Sequence, residues 1–156
     1  MSAMYATLLT VHSLVRWIVL LLALLALARA VAGWSGARSW TPADDRAGRL
    51  FTTSFDIQVL IGLVLYVFLS PITTAAFSNF GAVMGDTVAR FWAVEHITGM
   101  IVALALAHIG RARARKALGD AARHRTTAIF FGLSLVVILL TIPWPFMPAA
   151  RPLFSF

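Results

Sequence analysis

The first apolar stretch of the chain, residues 8–32, reads LLTVHSLVRWIVLLLALLALARAVA. A helix needs about 20 mostly apolar residues to cross the hydrocarbon core of a bilayer, and this stretch is longer than that. Three further stretches of the same kind follow at residues 50–69, 91–109 and 126–142. We therefore expect an all-α integral membrane protein, a single domain in which four spanning helices form an up-and-down bundle.

The composition of the whole chain favours the same class of protein. Of its 156 residues, 60% are hydrophobic and only 12% are charged, whereas soluble domains carry about 25% charged residues. The mean hydropathy is +0.87, and so apolar a chain cannot cover itself with polar surface in water. The absence of cysteine excludes disulfides, thiolate metal sites and cysteine nucleophiles. No sequence pattern for phosphate, dinucleotide or zinc binding occurs.

The basic residues are distributed unequally along the chain, and this predicts its orientation. Nine of the thirteen lie in the segments that join the first stretch to the second and the third to the fourth: Arg38, Arg46, Arg49, Arg111, Arg113, Arg115, Lys116, Arg123 and Arg125. Basic connecting segments stay on the cytoplasmic side of a membrane, so we expect the N- and C-termini outside. The net charge of +7 is then explained by topology, and no nucleic-acid partner is expected.

Two local features concern the ends of the first two helices. Arg16, the apolar run behind it and the small residues ARAVAG (28–33) also resemble a secretory signal peptide with a cleavage site. We expect this stretch to be the first spanning helix instead. Thr41 is a candidate N-cap and Pro42 suits the first helical position, so the second helix should begin ahead of its apolar part.

Four ionisable residues are expected to form an outer layer: His12, Arg16, Glu95 and His96. An ionisable side chain at the bilayer centre costs roughly 2.5–3.5 kcal/mol on insertion scales, so each of them needs a partner. His12 and Arg16 are four residues apart and share one helix face. We expect His12 and His96 at the same depth, and we expect Arg16 to pair with Glu95.

Four more polar residues are expected to form an inner layer, nearer the cytoplasmic side: Arg29, Asp56, Gln58 and His108. A lone carboxylate at this depth must be neutral or paired. We expect Asp56 to pair with Arg29 or to hydrogen-bond with Gln58. His108 should lie close to the cytoplasmic surface.

The outer layer has the residue types that a b-type haem requires. Two neutral imidazoles from different helices can ligate iron from both sides, and arginines can meet the propionates. His12 and His96 are therefore candidate metal ligands, and Arg16 is a candidate haem contact. Gly99 lies on nearly the same face as His96, and with the alanines four and eight residues further on it forms a row of small residues. Such a row could give a flat macrocycle room.

Other interpretations of these residues remain open. Rows of small residues are often helix-packing faces, and the outer layer could be a hydrogen-bonded network that fixes the order of the helices. Asp56 and Glu95 could instead belong to a proton or ion path. A second haem between His108 and His124 is a weaker hypothesis, because His124, in RHR (123–125), is more simply interpreted as a solvated loop histidine.

Four motifs carry a family resemblance: HSLVRW (12–17), FTTSFDIQVLIGLVLYVFLSP (51–71), RFWAVEH (90–96) and IPWPF (142–146). Together they resemble a family of small bacterial four-helix membrane proteins that are often labelled cytochrome b or uncharacterised. The resemblance covers most of the chain and implies haem b, electron transfer and a bacterial inner membrane. It assigns ligation to His12 and His96. The chain lacks the well-separated histidine pairs on two helices that are typical of diheme cytochromes b.

Two functions follow from these expectations. One is electron transfer by a small membrane cytochrome b between quinol and a periplasmic or membrane partner. The alternative is a non-catalytic accessory or scaffold subunit of a larger respiratory or photosynthetic membrane complex. The segment of residues 70–90 is apolar for a loop, and we expect it to lie across the outer end of the bundle.

Overall fold

The computed structural model describes residues 3–153. Its helices are α1 (Ala3–Ser35), α2 (Pro42–Val64), α3 (Pro71–Ser78), α4 (Phe80–Gly85), α5 (Thr87–Arg90), α6 (His96–Lys116) and α7 (Asp120–Thr141). A π-helical turn at Leu65–Leu69 continues α2, and a second one at Phe91–Glu95 leads into α6. The described part of the chain is all-α, as expected.

Four continuous helices are long and apolar enough to cross a membrane: Ala3–Ser35, Pro42–Leu69, Thr87–Lys116 and Asp120–Thr141. They correspond to the four apolar stretches of the sequence and extend beyond them. α1 contacts α2 and α7, and α6 contacts the same two helices. Helices that follow one another in the chain are thus neighbours in space, which is the arrangement of an up-and-down four-helix bundle.

The start of α2 shows why this helix extends ahead of its apolar part. Pro42 occupies the first turn, where a missing N–H is not needed. The backbone N–H of Thr41 donates to the Asp44 carboxylate at 2.9 Å, and the Thr41 hydroxyl donates to the same oxygen at 2.6 Å. The predicted beginning of α2 at Thr41 and Pro42 is confirmed.

The core of the bundle combines aromatic rings with small residues. Phe51 and Phe131 meet edge to face with ring centroids 5.0 Å apart, and both are almost fully buried. Ala103 and Ala107 of α6 are 0% exposed, and the Ser134 hydroxyl of α7 donates to the Ala103 carbonyl at 2.8 Å. Small side chains let α6 and α7 approach closely, as is usual for helices in membranes.

Gly99 belongs to this helix-packing face. A Cβ atom added at Gly99 would collide with the Thr141 side chain of α7. The space beside Gly99 is therefore filled by protein, and the row of small residues packs α6 against α7. The structure favours the packing interpretation of this row over a surface for a macrocycle.

The segment of residues 71–90 folds into the three short helices α3, α4 and α5, which cover one end of the bundle. Ala76 and Val83 pack against Ala93 in a small buried cluster. The Phe77 ring meets the Tyr66 ring edge to face at 5.4 Å. This segment covers the bundle end as predicted, while Phe77 still leaves 52% of its surface exposed.

The two ends of the bundle differ in composition, and we name them here. The histidine end carries α3 to α5, the start of α1 and residues 143–153. The arginine end carries residues 36–49 and 110–125. Tyr5 and Arg151 line one cavity at the histidine end, so both ends of the described chain lie at the same end of the bundle.

Candidate functional site

A cavity of about 130 Å³ lies at the histidine end, between α1, α2, α6 and residues 143–153. We call it the histidine cavity. Its polar lining residues include His12, Ser13, Arg16, Gln58, His96 and Arg151. Of the four residues predicted to share one site, His12, Arg16 and His96 line this cavity and Glu95 does not.

His12 is positioned by α2. The Gln58 side-chain amide donates to the His12 backbone carbonyl at 2.9 Å. A Cβ atom at Gly62 would come within 3.1 Å of the His12 ring, so the glycine provides the room in which the imidazole lies. His12 Nδ1 is buried and has no hydrogen-bond partner among residues 3–153.

Gln58 lies at this site and not in an inner layer, which corrects the sequence-based assignment. Residues two apart on a helix point to nearly opposite sides, because each residue turns the helix by about 100°. Gln58 thus faces α1 and the histidine cavity, whereas Asp56 faces α6. The Gln58 side-chain oxygen is buried without a partner.

His96 is held by the end of α7. Its Nδ1 is 2.7 Å from the backbone carbonyl oxygen of Thr141. A carbonyl can only accept, so Nδ1 carries the proton, and in the neutral ring Nε2 is left as an acceptor. Thr141 is the last residue of α7, where carbonyl groups lack helical partners. The ring also contacts Phe91 and Trp92, with centroids 5.9 and 5.6 Å away.

Arg16 is a half-buried cation that has no carboxylate partner among residues 3–153. It donates to the Leu153 backbone carbonyl and to the Ser13 hydroxyl at 3.4 Å. Its Nε is buried and has no partner. The guanidinium also lies 5.4 Å from the ring centre of Trp17.

The predicted ion pair between Arg16 and Glu95 is wrong. Glu95 pairs with Arg90 at 2.8 Å, and the Glu95 side chain is 46% exposed. Neighbouring residues on a helix point about 100° apart, so the turn that directs His96 inward directs Glu95 to the surface. At the surface, the partner of Glu95 is Arg90, which lies five residues earlier in the chain.

The predicted inner layer is also wrong in its pairing. Arg29 pairs with Asp44 at 2.9 Å, because Asp44 begins α2 at the arginine end, where α1 finishes. Asp56 lies farther along α2 and pairs with His108 at 2.8 Å, with both side chains more than 40% exposed. Since Asp56 and Glu95 both lie at the surface and neither lines the histidine cavity, they do not form one path through the bundle.

His124 differs from both of its sequence-based interpretations. It is 0% exposed and lies 4.9 Å from the Trp40 ring, over Gly33, where a Cβ atom would collide with the imidazole. It is therefore not a solvated loop residue. His108 bonds to Asp56 on the surface, so the two histidines do not form a second haem site.

The donor set of the histidine cavity suits a bis-histidine haem, but the space does not. His96 donates its Nδ1 proton to a carbonyl, as metal-bound histidines usually do. The cavity of about 130 Å³ is close to the roughly 150 Å³ of an engineered cavity that binds one benzene molecule. A macrocycle of four pyrrole rings is larger than this space. Among residues 3–153, no three histidine or acidic side chains are grouped to hold a metal ion.

Arg151 and its supporting segment were missed by the sequence analysis. Arg151 lies 5.1 Å from the ring centre of Trp92 and lines the histidine cavity. Its backbone N–H donates to the Pro143 carbonyl at 3.1 Å, which closes residues 143–151 into a compact loop. The prolines of IPWPF signalled a helix end, but they carried no information about where the chain goes next.

No family model matches the chain, and no similar curated protein or solved structure was found. The family resemblance and the haem that it implies therefore stay predictions. Any function must be argued from the site itself.

Proposed function

We propose that this protein binds the head group of a quinone or quinol in the histidine cavity and serves as an accessory protein of a membrane electron-transfer complex. One observation carries this proposal. Three buried polar atoms at the cavity have no partner in the described part of the chain: His12 Nδ1, Arg16 Nε and Gln58 Oε1.

These three atoms favour a polar ligand, because it could make the hydrogen bonds that they lack. A buried polar group without a hydrogen bond costs roughly 1–3 kcal/mol by protein mutational data, and in a bilayer no bulk water is available to relieve it. An occupant with oxygen atoms on its rim would satisfy donors and acceptors that the protein leaves open. The cavity thus favours a ligand with polar edges.

The size of the cavity favours one ring. A 1,4-quinone is a single six-membered ring with oxygen atoms on opposite sides, and it dissolves in membranes. Arg16 can donate to a quinone oxygen, and His96 Nε2 can accept from a quinol hydroxyl. Val59, Ile97 and Met100 also line the cavity and supply apolar contacts for the carbon frame.

The proposed setting is the inner membrane of a bacterium, with the histidine end outside. The basic residues clustered at the arginine end support this orientation. A reporter that is active only in the cytoplasm should stay silent at the C-terminus and become active when inserted near Leu118, in the connection between α6 and α7. The opposite pattern would reverse the orientation.

A haem-b electron carrier is the second candidate, because two imidazoles from α1 and α6 line one cavity. A reduced-minus-oxidised absorption spectrum of the protein purified from a haem-producing host separates the candidates. We expect no Soret band that depends on His12 and His96. Such a band, lost in His12→Ala and in His96→Ala, would replace the quinone proposal by the haem one.

Quinone binding is tested with a soluble single-ring quinone. Tetramethyl-1,4-benzoquinone is titrated into the protein in nanodiscs, with empty nanodiscs to correct for partition into lipid. We expect saturable binding of this quinone and of its reduced form, tetramethyl-1,4-hydroquinone, and binding of the reduced form should weaken by about tenfold in His96→Ala, because its hydroxyl would donate to His96 Nε2. His108→Ala is the matched control, since this histidine lies on the surface. Non-saturable uptake equal to that of empty nanodiscs would refute the proposal.

A further inference from the structure

The histidine cavity is rich in cationic and imidazole groups and has no carboxylate among its lining residues. The charged or titratable lining side chains are Tyr5, His12 and Arg16 from α1, Tyr66 from the π-helical turn after α2, His96 from α6, and Arg151 from the C-terminal segment. Two guanidinium groups thus face one small space. Arginine stays protonated in proteins, so both bring a full positive charge.

All six aspartate and glutamate side chains of the chain lie elsewhere in the structure. Four of them are in ion pairs: Asp44, Asp45, Asp56 and Glu95. Asp86 accepts from the Ala89 backbone N–H at 2.7 Å as the N-cap of α5, and Asp120 begins α7. None of them lines the histidine cavity, so the protein supplies no counter-charge there within residues 3–153.

Arg16 is not fully satisfied by its described neighbours. Within residues 3–153 its partners are the Leu153 carbonyl, the Ser13 hydroxyl and the Trp17 ring, and its Nε has none. Arg151 lies over the Trp92 ring. Attraction between unlike charges strengthens as the effective dielectric constant falls. An anionic ligand would therefore gain more from this site than a neutral one of the same shape.

We infer that the histidine cavity selects an acidic ring in its ionised form, of the hydroxyquinone class. This inference rests on the proposed quinone site and narrows its ligand. In an ionised 2-hydroxy-1,4-quinone, the negative oxygen and the neighbouring carbonyl oxygen form an adjacent pair on the ring edge. A guanidinium can donate to such a pair with two parallel N–H groups. The negative charge then lies beside Arg16 and Arg151.

The test compares two ligands that differ by one group. Tetramethyl-1,4-benzoquinone is neutral, and 2-hydroxy-3,5,6-trimethyl-1,4-benzoquinone replaces one methyl by an acidic hydroxyl. Both are titrated into the full chain in zwitterionic-lipid nanodiscs, at a pH where the hydroxyl is ionised in water. We expect the hydroxyquinone to bind about tenfold more tightly, because charge-assisted hydrogen bonds are stronger than neutral ones. Its visible absorption also reports the ionised form, which should persist to lower pH when bound.

Arginine variants test whether Arg16 and Arg151 cause the preference for the hydroxyquinone. Arg16→Gln and Arg151→Gln should each remove most of the preference for the hydroxyquinone, while Arg16→Lys should keep part of it because the charge remains. Arg113→Gln is the matched control, since Arg113 also lies over an aromatic ring, that of Phe130 at 5.4 Å, but does not line this cavity. Circular dichroism confirms that each variant keeps its helix content.

The possible failures are distinguishable. Saturable binding of both ligands with equal affinity would overturn this inference and leave the quinone proposal standing. Binding of neither ligand would overturn both. A preference that survives Arg16→Gln, Arg151→Gln and their combination would overturn the assignment of selectivity to the arginines.

Discussion

At the arginine end, the buried Asp44 carboxylate is paired with two arginines of the chain, whereas at the histidine end Arg16 has no carboxylate partner among the described residues. The Asp44 side chain, only 2% exposed, contacts Arg29 and Arg38 at 2.9 Å each and accepts two hydrogen bonds from Thr41. Arg16, at the opposite end, has backbone and hydroxyl oxygens as its polar partners and keeps an open Nε.

The two ends differ in the space beside their polar atoms and not in the number of atoms without partners, because Arg111 Nε, Thr127 Oγ1 and both ring nitrogens of His124 at the arginine end are also buried without partners among the described residues. The cavity lined by Asp44, Arg111 and Thr127 is only about 10 Å³. At the histidine cavity, three buried atoms lack partners around about 130 Å³ of space. A network in which the polar atoms are paired stabilises the fold. Buried polar atoms without partners lower the stability of the fold, and a ligand that bonds to them can restore it. The following changes test that distinction.

The largest effect is expected from Asp44→Asn at the arginine end. Removing one member of a buried ion pair costs about 3–5 kcal/mol. Because the Arg29 and Arg38 side chains are 31% and 41% exposed and can reach water, we expect a loss of about 2–3 kcal/mol in the free energy of unfolding. Equilibrium unfolding in mixed detergent micelles measures it.

Asp45→Asn is the control for this variant. Its contacts to Arg49 and Arg111 are 3.9 Å long and its side chain is 37% exposed, so a loss below about 1 kcal/mol is expected. Quinone binding should be unchanged in both variants. Equal losses in the two would show that the Asp44 network contributes no more than an exposed ion pair. Weaker quinone binding in Asp44→Asn would show that the two ends are not independent.

An intermediate effect is expected from Gly99→Ala, which links helix packing to the histidine cavity. The new methyl would press on Thr141, and overpacking costs about 1–3 kcal/mol. The Thr141 carbonyl orients His96, so the same change should weaken quinone binding. Thermal unfolding and ligand titration of one sample measure both effects.

Gly132→Ala is the matched control on the neighbouring helix. A Cβ atom there would lie 3.8 Å from Leu27, an ordinary contact, and alanine favours a helix over glycine by about 1 kcal/mol. We expect unchanged or higher stability and unchanged binding. If Gly99→Ala behaved in the same way, the proposed packing between α6 and α7 would be wrong.

The smallest effect is expected from Asp56→Leu. The pair between Asp56 and His108 is well exposed in the bundle, and exposed ion pairs contribute about 0–1 kcal/mol. A double-mutant cycle with His108→Leu should give a coupling energy within that range, and quinone binding should not change. If Asp56→Leu inserted normally into the membrane but lost quinone binding, Asp56 would be a functional residue.

The apolar stretches of the sequence predicted the long helices well, since the length of an apolar run is a local property. They also predicted that His12 and His96 meet, because heights along helices of known direction can be counted at about 1.5 Å per residue. The beginning of α2 followed from Thr41 and Pro42, whose preferences act within one turn. The helices and their ends needed only residues close together in the chain, and the meeting of the two histidines needed in addition the directions of their helices.

The partners of the polar side chains required the tertiary structure. His96 bonds to Thr141, 45 residues away, and Arg16 bonds to Leu153, 137 residues away. Which cation meets which anion depends on the rotation of each helix about its axis, and that rotation is set by packing and by the π-helical turn before His96. The sequence alone therefore determined the helices and the depth of the histidines, while the fold decided that Glu95 and Asp56 lie at the surface and that Arg16 shares a cavity with Arg151.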